Sequence, residues 1–219
     1  MSAVDDRLTL DHVIVAGPDL AASTALVSER TGVEPVVGGR HVGHGTHNAL
    51  AGLGPGRYLE VLALDPSQEG GGFGATIAHL NAPALHTWCA RGGSAPEIAA
   101  RIAAAGATPR RLPMSRLRAD GSELAWELVF VDGHPYGTLV PFFVDWRGAT
   151  HPSGALPPGL ELERLELRHP DADGLRALLT LLGGVPERVV VVAADAPRIA
   201  AAIRGERAWT IDGDARPRS

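Results

Sequence analysis

The chain has 219 residues, 45% of them hydrophobic, enough to bury one good core or a core plus an appendage; a peptide-sized or disordered scaffold is excluded. Its 25 acidic and 20 basic residues are interspersed and leave a formal charge of -5, so no basic stripe exists to follow a phosphate backbone and nucleic acid is not an expected partner. Every basic residue is arginine, which removes Schiff-base, pyridoxal-anchoring and phosphate-loop lysine chemistry, and the single cysteine, Cys89, permits no internal disulfide.

Met1 to Arg7 lacks the basic-then-apolar pattern of a signal peptide, so a cytoplasmic protein is expected. The β-branched, apolar run Leu8 to Ala16 reads as a strand closed by Gly17-Pro18-Asp19, and Leu20 to Arg30 has helical composition and stops at Gly32. Three strands follow, Pro35 to Val42, Thr46 to Leu53 and Arg57 to Leu64, joined by turns short enough for antiparallel neighbours. This first unit is β-α-β-β-β, over about residues 8–66. Ser67 to Gly74 reads as a Gly-rich loop, and Ala75 to Leu80 as a short helical piece.

The same order restarts at Ala84 and runs to about residue 147. It has a strand to Ala90, a helix from Ala95 to Ala105, and strands over Thr108 to Leu117, Glu123 to Val131 and Thr138 to Trp146. An offset of 74 residues lays His12 on His86, Ala16 on Ala90, Gly32 on Gly106 and Pro35 on Pro109, so the chain contains an internal repeat. No run approaches the roughly 20 apolar residues of a membrane helix; Leu139 to Val144 is typical of the longest. Gly148 to Gly159, rich in Gly and Pro, reads as a surface linker that separates a paired-module domain, 1–147, from a partial third module over 160–212. In that module Arg188 to Ala193 reads as a strand, Pro197 to Arg204 as a helix and Ala208 to Ile211 as a last strand. It is expected to pack on the pair and cover a sheet edge or a helix layer.

Chemistry concentrates at the repeat. If the units pair by pseudo-twofold symmetry, His12 and His86 meet across the axis, and two facing imidazoles suit a divalent metal. In the fourth strand, alternation puts Tyr58, Glu60 and Leu62 on one face and Leu59, Val61 and Ala63 on the other. Glu60 is then either a surface acid or a buried one that requires a metal, an arginine or a substrate proton. As a strand, His41 and His47 would stand about 20 Å apart, so the His41, His44, His47 trio is a poor metal site. Asn48 either caps a turn or projects inward to donate to a substrate oxygen, with His41 as its neighbour. Trp88, Phe142, Phe143 and Trp146 are core residues or the wall of an apolar pocket. Cys89 alternates away from His86 and Trp88 and reads as a small buried hydrophobe.

This repeated βαβββ unit, with His12, Glu60 and His86 at those strand positions, resembles the vicinal oxygen chelate superfamily of glyoxalase I, extradiol dioxygenases, fosfomycin-resistance proteins and metal-free bleomycin-binding proteins. The run Gly39-Arg40-His41-Val42-Gly43-His44-Gly45-Thr46-His47-Asn48-Ala49-Leu50, followed by Tyr58-Leu59-Glu60, is similar to glyoxalase-like domain proteins. The likeness spans about residues 8–147. It implies an α+β fold in which paired modules form one curved mixed sheet around a cavity. His12, Glu60 and His86 match three of the superfamily's four metal positions, for zinc, nickel, iron or manganese. The fourth falls on Val140-Pro141-Phe142-Phe143, which offers no ligand. The expected function is a metal-dependent enzyme acting on a small oxygen-chelating substrate, of lyase, isomerase or dioxygenase type, with Glu60 as its catalytic carboxylate. The alternative is a metal-free protein that sequesters a small ligand. A homodimer is compatible with either.

Overall fold

A computed structural model of the chain describes residues 8–69, 71–117 and 123–215. The first unit comprises β1 (Thr9–Gly17), α1 (Leu20–Thr31), β2 (Val36–His41), β3 (Thr46–Gly52) and β4 (Tyr58–Leu64). A short helix, α2 (Phe73–Ile77), leads to the second unit of β5 (Ala84–Arg91), α3 (Ala95–Ala104), β6 (Thr108–Leu117), β7 (Glu123–Asp132) and β8 (Phe142–Asp145). Local chemistry sets the helix ends. Asp19 accepts from the Ala22 N–H at the start of α1, and Gly32 closes that helix at φ 80°, a conformation that favours glycine. Ser94 and Glu97 form a capping box on α3. Strand β8 is shorter than the expected Thr138 to Trp146, because Gly137–Leu139 forms a 3-10 turn and Pro141 has no N–H for a ladder.

The two units join in one mixed eight-stranded sheet of order β2-β3-β4-β1-β5-β8-β7-β6. In each half the first strand runs parallel to the last, and the halves meet where β1 pairs antiparallel with β5. The sheet curls until its end strands, β2 and β6, approach each other. Its two faces have different fates. Val13, Val15, Leu59, Val61, Trp88 and Phe143 pack into the main core with Val27 of α1 and Ile98 and Ile102 of α3. Ile14, Leu62, Cys89, Leu128, Phe142 and Val144 lie on the concave side.

The C-terminal segment has all five elements: β9 (Glu161–His169), α4 (Ala172–Leu181), β10 (Val189–Ala193), β11 (Arg198–Arg204) and β12 (Ala208–Asp214). The expected helix over Pro197 to Arg204 is therefore corrected to a strand. Arg198–Arg204 is only seven residues and is held between β9 and β12, with Ile199, Ala201 and Ile203 wholly buried; this context overrides the helical preference of its alanines. The wiring differs from the first two units. Strand β9 lies between β10 and β11 in a separate four-stranded sheet of order β10-β9-β11-β12. Leu165, Leu175, Ile199 and Ile203 share the main core with the large sheet.

Candidate functional site

The concave face encloses a cavity lined by His12, Ile14, His41, Asn48, Leu50, Tyr58, Glu60, Leu62, Met114, Leu124, Trp126, Leu128, Phe142, Val144, Trp146 and Pro152. Most of the wall is apolar or aromatic, and the polar groups converge on one side, as in small-molecule sites. Alternation along β4 presents Tyr58, Glu60 and Leu62 to the cavity, while Leu59 and Val61 face the core. Glu60 is buried, at 7% exposure, and reaches no arginine: its Oε1 accepts from Asn48 Nδ2 at 2.6 Å, and its Oε2 is 3.5 Å from His12 Nε2.

Behind His12 stands Asp11. A register shift between Leu10 and His12 in the β1·β5 ladder makes Asp11 the extra residue of the bulge, and its side chain is fully buried. Its Oδ1 is 2.7 Å from His12 Nδ1. Its Oδ2 accepts from Arg91 (2.8 Å), from the Trp146 indole N–H (3.0 Å) and from His151 Nε2 (3.0 Å). Burial alone would push this carboxyl up; the hydrogen bonds and charges of His12 and His151 outweigh it and hold Asp11 far below the usual carboxylate range. Because a carboxylate only accepts, His12 Nδ1 carries a proton and Nε2 is the nitrogen turned toward Glu60. The Tyr58 ring stacks on the imidazole at 4.5 Å and fixes its plane. Asn48 Nδ2 also approaches His41 Nε2 at 3.4 Å, and His41 Nδ1 is 2.9 Å from Thr46 Oγ1.

Of the residues expected from sequence, His12, Glu60, His41, Asn48, Phe142 and Trp146 line the cavity. Three do not. Trp88 and Phe143 belong to the opposite face and the main core, where the Trp88 indole donates to the Leu139 carbonyl. His86 is the third. The Cα partner of His12 on β5 is Cys89, three residues and so about 10 Å along the strand from His86, whose ring lies near His79. An offset that superposes the two units in sequence does not fix which residues stand opposite each other once their first strands pair antiparallel. The sequence does not single out the Asp11 hub, Trp126, His151 or Pro152. The last two lie in the stretch read as a surface linker, where a 3-10 turn at Pro152–Ala155 carries them inward. Adjacency to His12 was the one available signal for Asp11.

The ladders also identify the symmetric counterparts. His12 pairs with Tyr58 as Cys89 pairs with Phe142, and two residues on stand Glu60 and Val144. The symmetric set is thus His12, Glu60, Cys89 and Val144, and valine offers no donor atom to a metal. Among the described residues, the compact ligand trio is Asp11, His12 and Cys89. A carboxylate has about four acceptor directions, and those of Asp11 are taken by four donors. His41, His44 and His47 do not gather into a further ligand group among the described residues. The side chains present therefore do not fit a four-ligand metal centre.

A family profile described as a glyoxalase-like domain matches residues 10–183. No curated protein matches the chain. Among solved structures, a hypothetical protein from Staphylococcus aureus is similar over 94% of this chain and 86% of its own, with a TM-score of 0.65 at 13% identity. A mutant of 4-hydroxymandelate synthase from Streptomyces coelicolor is similar over 94% of this chain and 63% of its own, with a TM-score of 0.51 at 12% identity. Methylmalonyl-CoA epimerase from Mycobacterium tuberculosis overlaps 62% of this chain and 85% of its own, at 19% identity and a TM-score of 0.43. The architecture is the vicinal oxygen chelate fold.

Proposed function

Because the chain belongs to the glyoxalase-like domain family, we propose that its cavity is the active site of an enzyme that shifts a proton within a small hydroxy-carbonyl substrate, an isomerase or lyase type of reaction. The observation that carries this reading is the placement of Glu60 Oε2 3.5 Å from His12 Nε2 on one wall of an otherwise apolar cavity, with Asp11 behind the imidazole. Glu60 removes the proton from the carbon that bears the hydroxyl, next to the carbonyl. The C–H electron pair becomes the double bond of an enediol, and His12, acting as an imidazolium whose Nδ1 proton is held by Asp11, donates its Nε2 proton to the carbonyl oxygen as negative charge gathers there. Return of the proton from Glu60 to the former carbonyl carbon, while the original hydroxyl gives its proton to His12, completes an isomerisation that consumes no co-reactant and restores both side chains. Dioxygenase chemistry is less well supported, since the second module offers only Val144, which has no donor atom, where a fourth metal ligand would be needed.

A second reading, capture of a ligand without turnover, draws on the aromatic wall of Tyr58, Trp126, Phe142 and Trp146. The test that separates the two is turnover of 2-oxoaldehydes, hydroxy ketones, catechols and 2-hydroxy acids by the parent protein and by His12→Ala, beside elemental analysis of protein purified without chelator. The enzyme reading expects one hydroxy-carbonyl class to be consumed, the variant to be slowed about 100-fold or more, and zinc, nickel, iron and manganese far below one equivalent. Consumption of none, with ligand affinity unchanged in the variant, leaves sequestration. A full equivalent of metal that is lost in His12→Ala overturns the metal-free mechanism.

A further inference from the structure

We propose that Asn48 is the specificity-determining residue of this cavity and acts as an acceptor: the ligand must bring an O–H or N–H to its Oδ1. The inference rests on the reading of the cavity as a substrate site and deepens it. From the sequence, Asn48 is expected either to cap a turn or to donate to a substrate oxygen. Its Nδ2 is instead committed to Glu60 Oε1 at 2.6 Å, with His41 Nε2 at 3.4 Å on the same side. A carboxylate can only accept, so the amide cannot be turned over without setting oxygen against oxygen. This orientation leaves Oδ1 as the free end. Asn48 is 4% exposed, and its Oδ1 has no hydrogen-bond partner among the described residues.

A buried acceptor without a partner forgoes the hydrogen bond it would make to water, and most such groups in folded proteins are satisfied. Here the residue lines the cavity; its neighbours Leu50 and Leu62 supply nothing that can donate, and the Thr46 hydroxyl, two residues back, is engaged with His41 Nδ1 at 2.9 Å. A ligand hydroxyl seated on Oδ1 satisfies it and lies next to the Glu60 carboxylate. That position puts the carbon bearing the hydroxyl within reach of the group proposed to remove its proton. Asn48 thereby has two tasks. Its amide nitrogen holds Glu60, and its amide oxygen chooses molecules with a hydroxyl, or an amine in its place, beside the carbon that reacts.

Two ketones and the Asn48 variants together isolate the acceptor: 2-hydroxyacetophenone, and its O-methyl ether 2-methoxyacetophenone, which has lost the donor and gained a methyl group whose size effect persists in the variants. Binding is read by quenching of tryptophan fluorescence, since Trp126 and Trp146 line the cavity. The parent should bind the hydroxy ketone at least about 10-fold more tightly than the ether, since the ether leaves a buried group unpaired. Asn48→Leu should bring that ratio close to one, while Asn48→Asp, which keeps an acceptor, should retain a preference for the hydroxyl even if both affinities fall. Equal binding of the two probes by the parent overturns the proposal whatever the variants do, and so does failure of both to bind. Exchange of the ketone's α-hydrogens with D₂O is followed in the same samples. Discrimination without exchange leaves Asn48 as assigned and removes the proton-transfer reading; exchange without discrimination does the reverse.

Discussion

Asp11 shows how much of a site can depend on a residue that never touches the ligand. It is fully buried, and it accepts from an imidazole, a guanidinium, an indole and a second imidazole that come from three separate parts of the chain. Removing its charge leaves those donors facing an uncharged amide, and breaking a buried charge network costs about 3 kcal/mol or more. Asp11→Asn should therefore lower the Tm by about 10 °C in a protein of this size. The pH dependence has a definite sign. The folded-state carboxyl is held below its unfolded value near 4, so its contribution is complete above about pH 4 and declines as pH falls toward the lower folded value. Thermal melts of parent and variant from pH 7 to pH 2.5 should show a gap that is constant down to about pH 4 and narrows below it. A gap that widens in acid contradicts the assignment. For Glu60, Glu60→Gln keeps an acceptor for Asn48 but loses proton transfer. Ligand affinity should stay within a few fold while turnover falls about 1,000-fold.

At the scale of strands and helices, the periodic runs and their Gly and Pro punctuation made the first two units legible: β1, α1, β3, β4, α3 and β6 lie within a residue or two of their expected bounds. The cavity side of Tyr58 and Glu60 was legible too, because a strand's alternation is a local property. Features set by pairing between strands were not. The register shift between Leu10 and His12 in the β1·β5 ladder makes Asp11 the extra residue, and the antiparallel register sets Cys89, not His86, opposite His12. No offset read along one strand reveals a bulge in its partner. The same reason hid β11, whose alanines become a strand only because β9 and β12 flank it. His86→Ala is accordingly expected to leave ligand binding and turnover within about twofold of the parent, since surface-side changes away from a site are worth about 0.5 kcal/mol or less. A loss as deep as that of His12→Ala would restore His86 to the site. Gly213 offers a test of packing: a Cβ there would overlap the Leu85 carbonyl oxygen, so β12 rests on β5 through a bare backbone. Gly213→Val should destabilise the fold by several kcal/mol, about the cost of overpacking a core site, as read by urea denaturation.

The whole molecule places both sheets around one continuous core, and the C-terminal segment is tied to the paired modules by more than apolar contact. Tyr136 donates to Asp171 at 2.8 Å, Arg101 to the Leu182 carbonyl at 3.2 Å, and the Arg207 N–H to Thr31. A chain ended after residue 159 would expose Val13, Val15 and Leu85, which share a core with Leu165 and Ile199. The full chain should melt in a single transition, and the shortened chain should show none. No helix of the structure is long and apolar enough to cross a membrane. What this scaffold holds in place is the His12, Glu60 and Asn48 wall, and the central claim is that this wall moves a proton at carbon with the protein's own side chains. The direct measurement is deuterium wash-in at the α-carbon of 2-hydroxyacetophenone, followed by NMR in D₂O with chelator-treated protein and, in parallel, with Glu60→Gln. Exchange by the metal-free parent that disappears in the variant, while both bind the ketone, is the expected result. Binding by the metal-free parent with no exchange above the buffer rate would contradict it.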